Sequence, residues 1–238
     1  MSLYSRLFTR CYDPFLSRGE AAGMRAIRHE VLADADGRTL EIGAGTGLNL
    51  PFYPSTVTSL TLTDPEAAMI RALQRRARGG EGWLRIVQAP ADRLPFADDS
   101  FDTVVCTLVM CTVPEMAATL REVDRVLAPD GQILFIEHVR ATDARQSRWQ
   151  DRLSRPWHAI GYGCHCNRDT AEAITQAGFT SATLRAEQWC GMPRILQPLI
   201  VGQSVRRPDD SESGRPATSA PRRVRPGQRD PSAPSMPQ

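Results

Sequence analysis

The sequence predicts an α/β protein built on a doubly wound, mostly parallel sheet, and three observations carry that reading. Short apolar runs of strand length alternate with stretches of helical spacing from Met24 to Gln176. The first run ends in a glycine-rich turn, E-I-G-A-G-T-G over 41–47. The second ends in a carboxylate, Asp64, at the place where open parallel sheets hydrogen-bond a ribose, roughly twenty residues after the glycine turn.

The elements are taken in chain order. Leu3, Tyr4, Leu7, Phe8, Tyr12 and Phe15 recur at helical spacing with Arg6 and Arg10 on the flank. Residues 1–23 therefore read as a helix that caps a site, with peripheral contact to a membrane as the alternative. A helix over Gly19 to Ala33 leads into a strand at Thr39 to Ile42, and Leu48 to Phe52 reads as a short helical turn. Ser59 to Thr63 alternates apolar and polar residues as a second strand, and Pro65 suits the first position of a helix running to Arg78. Strands come next at Trp83 to Gln88, Phe101 to Leu108 and Gln132 to His138, with a helix from Glu115 to Val126 before the last. A long connection, residues 140–170, precedes a helix at Arg168 to Gln176; Ser181 to Glu187 and Leu196 to Val205 then read as two more strands. The main domain is thus expected over 24–205. Residues 206–238, rich in Pro, Arg and Ser without an apolar period, are expected to be a disordered tail whose Arg222, Arg223 and Arg225 suit an acidic partner.

Composition narrows the function. At 238 residues and 41% hydrophobic, one α/β domain with a tail is accommodated. The formal charge of +2 gives no reason to expect nucleic acid as a partner. All 29 basic residues other than histidine are arginine, which excludes a lysine base or Schiff base. Six cysteines occur without a secretory signal, and no stretch reaches membrane-spanning length. Reduced thiols in a cytoplasmic protein without a transmembrane segment are the expectation.

The glycine spacing separates two cofactor types. Dinucleotide folds use G-x-G-x-x-G, whereas this chain has G-x-G-x-G, with Leu48 where the third glycine would fall. Glu41 lies beside the turn. A carboxylate disfavours a pyrophosphate there but suits the ammonium and sulfonium of S-adenosylmethionine (SAM). Asp64 is then the ribose ligand, although a carboxylate ahead of Pro65 also reads as a helix cap.

These residues carry a resemblance. L-E-I-G-A-G-T-G at 40–47, D-P-E-A-A-M at 64–69, L-P-F-A-D-D-S-F-D at 94–102, E-V-D-R-V-L-A-P-D-G-Q at 122–132 and P-L-I-V-G-Q-S-V at 198–205 resemble the class I SAM-dependent methyltransferases of the type-11 group, which includes the ubiquinone and menaquinone methyltransferases. G-L-N-L-P-F-Y-P at 47–54, C-T-L-V-M-C-T-V at 106–113, F-I-E-H-V at 135–139 and G-C-H-C-N-R-D-T at 163–170 resemble a narrower branch containing small-molecule thiol S-methyltransferases. The resemblance implies a seven-stranded sheet whose last two strands form an antiparallel edge hairpin. It implies a SAM pocket in which Glu41 orients the methionine end, Gly43, Ala44, Gly45, Gly47 and Asn49 form the turn beneath the cofactor, and Asp64 takes the ribose. Pro65 and Met69 would edge the adenine, though a methionine at helical spacing is more often plain core. Thr107, Leu108 and Val109 would line the methyl-transfer channel, with core packing the other account of the last two. The acidic residue that usually meets adenine's amine falls here on Pro90, so that contact is expected to shift to Ala91 or Asp92.

The acceptor is expected to be a small, fairly apolar molecule, most plausibly a thiol. A thiol near pKa 8.5 supplies a few per cent thiolate unaided, while a phenol or ring carbon needs a stronger base. His138 is the candidate base, with a structural role in the adjoining loop as the alternative reading. Residues 140–170 are the expected acceptor region, with Cys111, Trp149, Trp157, Cys164 and His165 as candidate acceptor contacts. The Cys164-His165-Cys166 run lacks a second ligand pair, so no metal is expected. The competing readings are C- or O-methylation of a quinol or phenol, and a SAM-binding or nucleotide-binding module without catalysis.

Overall fold

The computed structural model describes residues 3–78 and 82–207; the expected tail beyond Arg207 lies outside them. The helices are α1 (Leu3–Gly19), α2 (Arg25–Leu32), α3 (Ala67–Arg76), α4 (Met116–Val126), α5 (Ala144–Ile160) and α6 (Thr170–Gln176). The strands are β1 (Gly37–Ile42), β2 (Val57–Asp64), β3 (Leu84–Gln88), β4 (Phe101–Thr107), β5 (Leu127–His138), β6 (Phe179–Gln188) and β7 (Pro198–Arg206). They form one seven-stranded sheet in the order β3-β2-β1-β4-β5-β7-β6. The first five strands are mutually parallel, and β7 runs antiparallel between β5 and β6. This is the doubly wound sheet with an antiparallel end that the sequence predicts. No helix among the described residues is long and apolar enough to cross a membrane.

Apolar residues bury both faces of the central strands. One core gathers Leu60, Leu62, Val105, Leu134 and Ile136 with Leu32 and Leu73 from the helices; the other gathers Leu40, Ile42, Val104, Ile133 and Phe135 with Leu120 and Val123 of α4. Alternate residues of each strand thus feed opposite cores, as the two-residue period of a strand requires. The strand order reverses between β1 and β4, which opens a crevice at their carboxyl ends.

Two sequence expectations need correction. The single helix expected over 19–33 is divided: α1 runs on to Gly19, and a π-helical turn, Glu20–Met24, with Gly23 at φ 141°, separates it from α2. Residues 140–170 are not mainly an irregular connection, because α5 occupies 144–160. It escaped notice because only Ser147 and Gln150 are buried along it, leaving no apolar stripe to read, and because Pro156 lies inside it. The usable signal was its cap: the Asp143 carboxylate accepts from the Gln146 N–H at 2.8 Å.

Gln150 fastens α5 to the sheet. Its fully buried amide accepts from the Ala141 N–H at 2.8 Å and donates towards the carbonyls of Val139, Cys166 and Ile195 at 2.8–3.1 Å. Replacing it strands several buried backbone groups, each costing about 1–3 kcal/mol. Gln150→Leu is therefore expected to lower unfolding free energy by about 3 kcal/mol or more in urea titrations. Gln146→Ala, which removes one exposed bond to the Arg194 carbonyl, is expected to cost under about 1 kcal/mol.

Candidate active site

At the carboxyl ends of β1, β2 and β4 lies a cavity of about 570 Å³. One end is formed by the turn after β1, with Gly43 and Gly45, and by Asp64 and Pro65 at the end of β2. The other end is aromatic and apolar: α1 contributes Phe8, Tyr12 and Phe15, α5 contributes Trp157 and Ile160, and the segment after β6 contributes Trp189 and Met192.

The turn after β1 is shaped by close approach. Gly43 and Gly45 have φ of 64° and 56°, where a side chain is strained. A Cβ on Gly43 would also sit 1.9 Å from Val109 Cγ2, so the turn lies directly against the segment after β4. The Asp64 carboxylate joins the two strand ends, one oxygen accepting from the Gly45 N–H at 3.0 Å and the other from the Glu66 N–H at 2.8 Å. The bond to Glu66 closes a turn ahead of α3, which starts at Ala67 with Glu66 as its N-cap and no side-chain capping bond, so the expected cap role of Asp64 and the expected helix start at Pro65 are not found.

A buried polar chain stands behind this end. Glu20 pairs with Arg28 at 2.8 Å, Arg28 donates to Asn49 Oδ1 at 2.7 Å, and Asn49 Nδ2 donates to Glu41 at 2.9 Å and to Thr107 Oγ1 at 3.0 Å. The Tyr53 hydroxyl donates to the other Glu41 oxygen at 2.7 Å. Burial pushes the Glu41 carboxyl up to about 7 against the opposing bonds from Tyr53 and Asn49 and the charge of Arg28. Burial likewise pushes Asp64 up to about 6.

A second clamp holds the segment after β4. Leu108 adopts φ 57°, outside the region ordinary side chains prefer. The fully buried Glu137 secures the next two residues: its Oε1 accepts from the Val109 and Met110 N–H groups at 2.9 and 3.0 Å. From the opposite side Arg168 donates to the Met110 and Val113 carbonyls, each at 2.7 Å, and the His165 N–H donates to the Cys111 carbonyl at 2.7 Å. Burial pushes Glu137 up to about 7.

At the aromatic end, His138 lines the cavity and is 4% exposed, its ring 5.4 Å from that of Trp189. Burial lowers its pKa to about 4, so the imidazole is neutral throughout the physiological range. His138 Nδ1 and Trp189 Nε1 are buried without a hydrogen-bond partner among the described residues. Cys111 and Cys164 also line the cavity; the bond with Cys164 and burial hold the Cys111 thiol well above its usual range.

The structure brings most of the residues singled out in the sequence to this cavity: Gly43, Gly45, Asp64, Pro65, Met69, Ala91, Asp92, Thr107, Leu108, Val109, Cys111, His138, Trp157 and Cys164 all line it. Glu41, Ala44, Gly47 and Asn49 do not. Glu41 and Asn49 are turned into the polar chain behind the turn, so any influence of Glu41 on a ligand runs through its charge and through Thr107. Trp149 is half exposed on the outer side of α5 and His165 stacks on His158 at 4.4 Å, neither of them in the lining. Sequence reasoning overlooked Trp189, Glu137, Arg168 and Arg28, whereas Tyr12 belongs to the helix expected to cap the site and does line the cavity. Glu137 was legible, since strand alternation sends it and His138 to opposite sides. Trp189 comes from an element remote in sequence and carried no local signal.

Comparison with known proteins agrees with this geometry. A family profile described as "Methyltransferase domain" matches residues 40–135. A thiol S-methyltransferase of Rattus norvegicus is 36% identical over 174 residues, 70% of this chain and 70% of the relative. A ubiquinone/menaquinone biosynthesis C-methyltransferase of Azotobacter vinelandii is 34% identical over 122 residues, 49% of this chain and 48% of its own. Among solved structures, a SAM-dependent methyltransferase of Thermotoga maritima, described as a possible histamine N-methyltransferase, superposes with a TM-score of 0.66 at 16% identity. That match covers 87% of this chain and all of the other.

The Glu137 clamp makes a direct prediction. Glu137→Gln keeps an acceptor for the two N–H groups and should preserve slow hydrogen exchange at Val109 and Met110. Glu137→Ala leaves both donors without a partner and should speed exchange at these amides by about tenfold or more each. Equal protection in the two variants would show that the turn holds itself.

Proposed function

Because the chain belongs to the SAM-dependent methyltransferases, we propose that this cavity holds SAM at its glycine end and methylates a small, apolar thiol at its aromatic end. The observation that carries the proposal is the polarity of the cavity. A carboxylate and open backbone stand at one end, and an aromatic and apolar wall that includes Trp157 and Trp189 at the other. The relatedness to a thiol S-methyltransferase favours sulfur as the acceptor atom.

The residues fit the cofactor. Each Asp64 oxygen accepts one backbone N–H and retains lone-pair capacity for ribose hydroxyls. Gly43 and Gly45 leave backbone exposed where a side chain would stand in the way. Glu41 contributes negative charge behind Thr107, complementary to a ligand with an ammonium and a sulfonium. When bound, SAM supplies an electrophilic methyl group on a cationic sulfur.

The chain's own task is alignment and exclusion of water. The Trp189 ring and the uncharged His138 ring belong to the wall at the aromatic end. The apolar wall favours an acceptor that sheds water easily. An acceptor thiol would give up its proton to solvent water, and its sulfur would then be the nucleophile towards the electrophilic methyl group that the bound cofactor would supply beside Thr107, Leu108 and Val109. His138 is thus reassigned from base to acceptor contact, because a group titrating near 4 takes little of a thiol's proton at pH 7. In this reading α1 serves as the cap of residues 1–23, supplying Phe8, Tyr12 and Phe15 to the wall.

Isotope-labelled SAM offered with a panel of alkyl thiols, phenols, quinols and amines tests the reading by tracing label into product. Label on a thiol supports it. Label on a quinol or phenol alone would replace it with C- or O-methylation. SAM bound but transferred to nothing would leave a binding module.

Two further outcomes are expected. Asp64→Ala should weaken SAM at least about thirtyfold, since hydrogen bonds to a charged group contribute about 1.5–3 kcal/mol each; unchanged binding in calorimetry would remove Asp64 from the site. SAM affinity should also rise with pH through about 7. The free protein raises the Glu41 pKa to about 7, and a cationic ligand favours its ionised form, so binding releases a proton. A dissociation constant flat between pH 5.5 and 8 would refute that coupling.

A further inference from the structure

A second cavity, about 770 Å³, lies between α1 and α3 on the outer side of the glycine turn. Its charged lining is Arg6, Arg10, Arg71, Arg75 and Arg76 against a single carboxylate, Asp13. Asp13 is already engaged: one oxygen accepts from Arg76 at 2.5 Å and the other from the Thr46 hydroxyl at 2.6 Å. Arg76 also donates to the Thr46 carbonyl at 2.9 Å. Four guanidinium groups therefore share a cleft whose one carboxylate is taken, and Arg6, Arg10, Arg71 and Arg75 form no ion pair with an acidic group among the described residues.

Like charges gathered around a concavity repel one another, and an anion entering it relieves that repulsion. Guanidinium forks match the paired oxygens of a phosphate, and several converging forks favour phosphate over a lone carboxylate. We propose that the α1–α3 cleft binds a phosphate-bearing anion through Arg6, Arg10, Arg71 and Arg75. The methyl-transfer reading makes no use of these residues, so the site stands or falls independently of it. The phosphate can be soluble or carried by a lipid. Leu7, 60% exposed between Arg6 and Arg10 in sequence, gives a lipid-borne phosphate an apolar neighbour that a soluble one does not need. The cleft shares Thr46 with the glycine turn, so the anion would lie one residue layer from the cofactor end.

The test uses the full chain and two probes. Inorganic pyrophosphate is titrated by calorimetry, and flotation is measured with vesicles of phosphatidylcholine alone or mixed with phosphatidylglycerol. The Arg71→Gln/Arg75→Gln double variant is compared with Arg145→Gln/Arg148→Gln on α5, which removes equal charge from another exposed surface. Binding of either probe should weaken about tenfold or more in the cleft variant and no more than about threefold in the α5 variant. Circular dichroism should show both variants folded, since all four arginines are exposed. Pyrophosphate binding without vesicle binding assigns a soluble phosphate; flotation only with phosphatidylglycerol assigns a lipid headgroup. Failure of both probes, or equal loss in the two variants, would overturn the proposal.

Discussion

The site depends on how the backbone after β4 is held. Leu108 takes a left-handed conformation, and the next two N–H groups point inward to one oxygen of Glu137. A left-handed leucine costs about 1–2 kcal/mol, and the surroundings must supply it. Glu137 does so from the sheet side and Arg168 from the other, by way of the Met110 and Val113 carbonyls. This fixed turn then determines both neighbours. Val109 lies so close to Gly43 that no side chain fits there, and the Cys111 carbonyl receives His165 from the segment after α5. The glycine end and the aromatic end are thereby tied to the same four residues.

The electrostatics of the region arise from an uneven supply of cations. Glu20, Glu41, Asp64 and Glu137 are buried here, while Arg28 is the buried guanidinium that answers Glu20 and reaches Glu41 through Asn49. Burying carboxylates without matching charge raises their pKa values, as Glu41, Asp64 and Glu137 illustrate. These acids favour the native state most below their unfolded pKa values, and that contribution is lost as pH rises towards 7. A cationic ligand reverses the trend by favouring the ionised forms. The pocket thus exchanges some stability when empty for complementarity to positive charge.

Most of the fold was legible because its signals are local. Glycines at 43, 45 and 47, Asp64 at a strand end, and apolar runs buried on both faces each declare themselves over a few residues, and all seven strands fell within a few residues of their places. The glycine end of the site was equally readable, since one turn and one strand end build most of it. What sequence could not supply was direction. Glu41 belongs to the right strand, yet Asn49 and Tyr53 draw its carboxylate away from the cavity. The aromatic end was harder still, because α1, α5 and the segment after β6 meet there from distant parts of the chain. Helix α5 carries no apolar stripe; its most buried attachment is the Gln150 amide, and periodicity does not register a buried amide.

The contrast between the two ends also bears on the chemistry. Among the side chains around the cavity the usual bases are subdued: His138 titrates near 4, the bond with Cys164 and burial hold the Cys111 proton, burial holds that of Tyr12, and the chain has no lysine, while Asp64, raised to about 6, is already bonded to two backbone N–H groups. A site so arranged gains little with a nucleophile that must be stripped of a proton held at pKa 10. It suits one that ionises near neutrality and is then stripped of water, because desolvation raises the reactivity of an anion meeting a cationic sulfur. Thiols meet that condition better than phenols or ring carbons. In the proposed reading the apolar wall and the subdued bases belong together, since an acceptor selected for its acidity and hydrophobicity asks less of a general base.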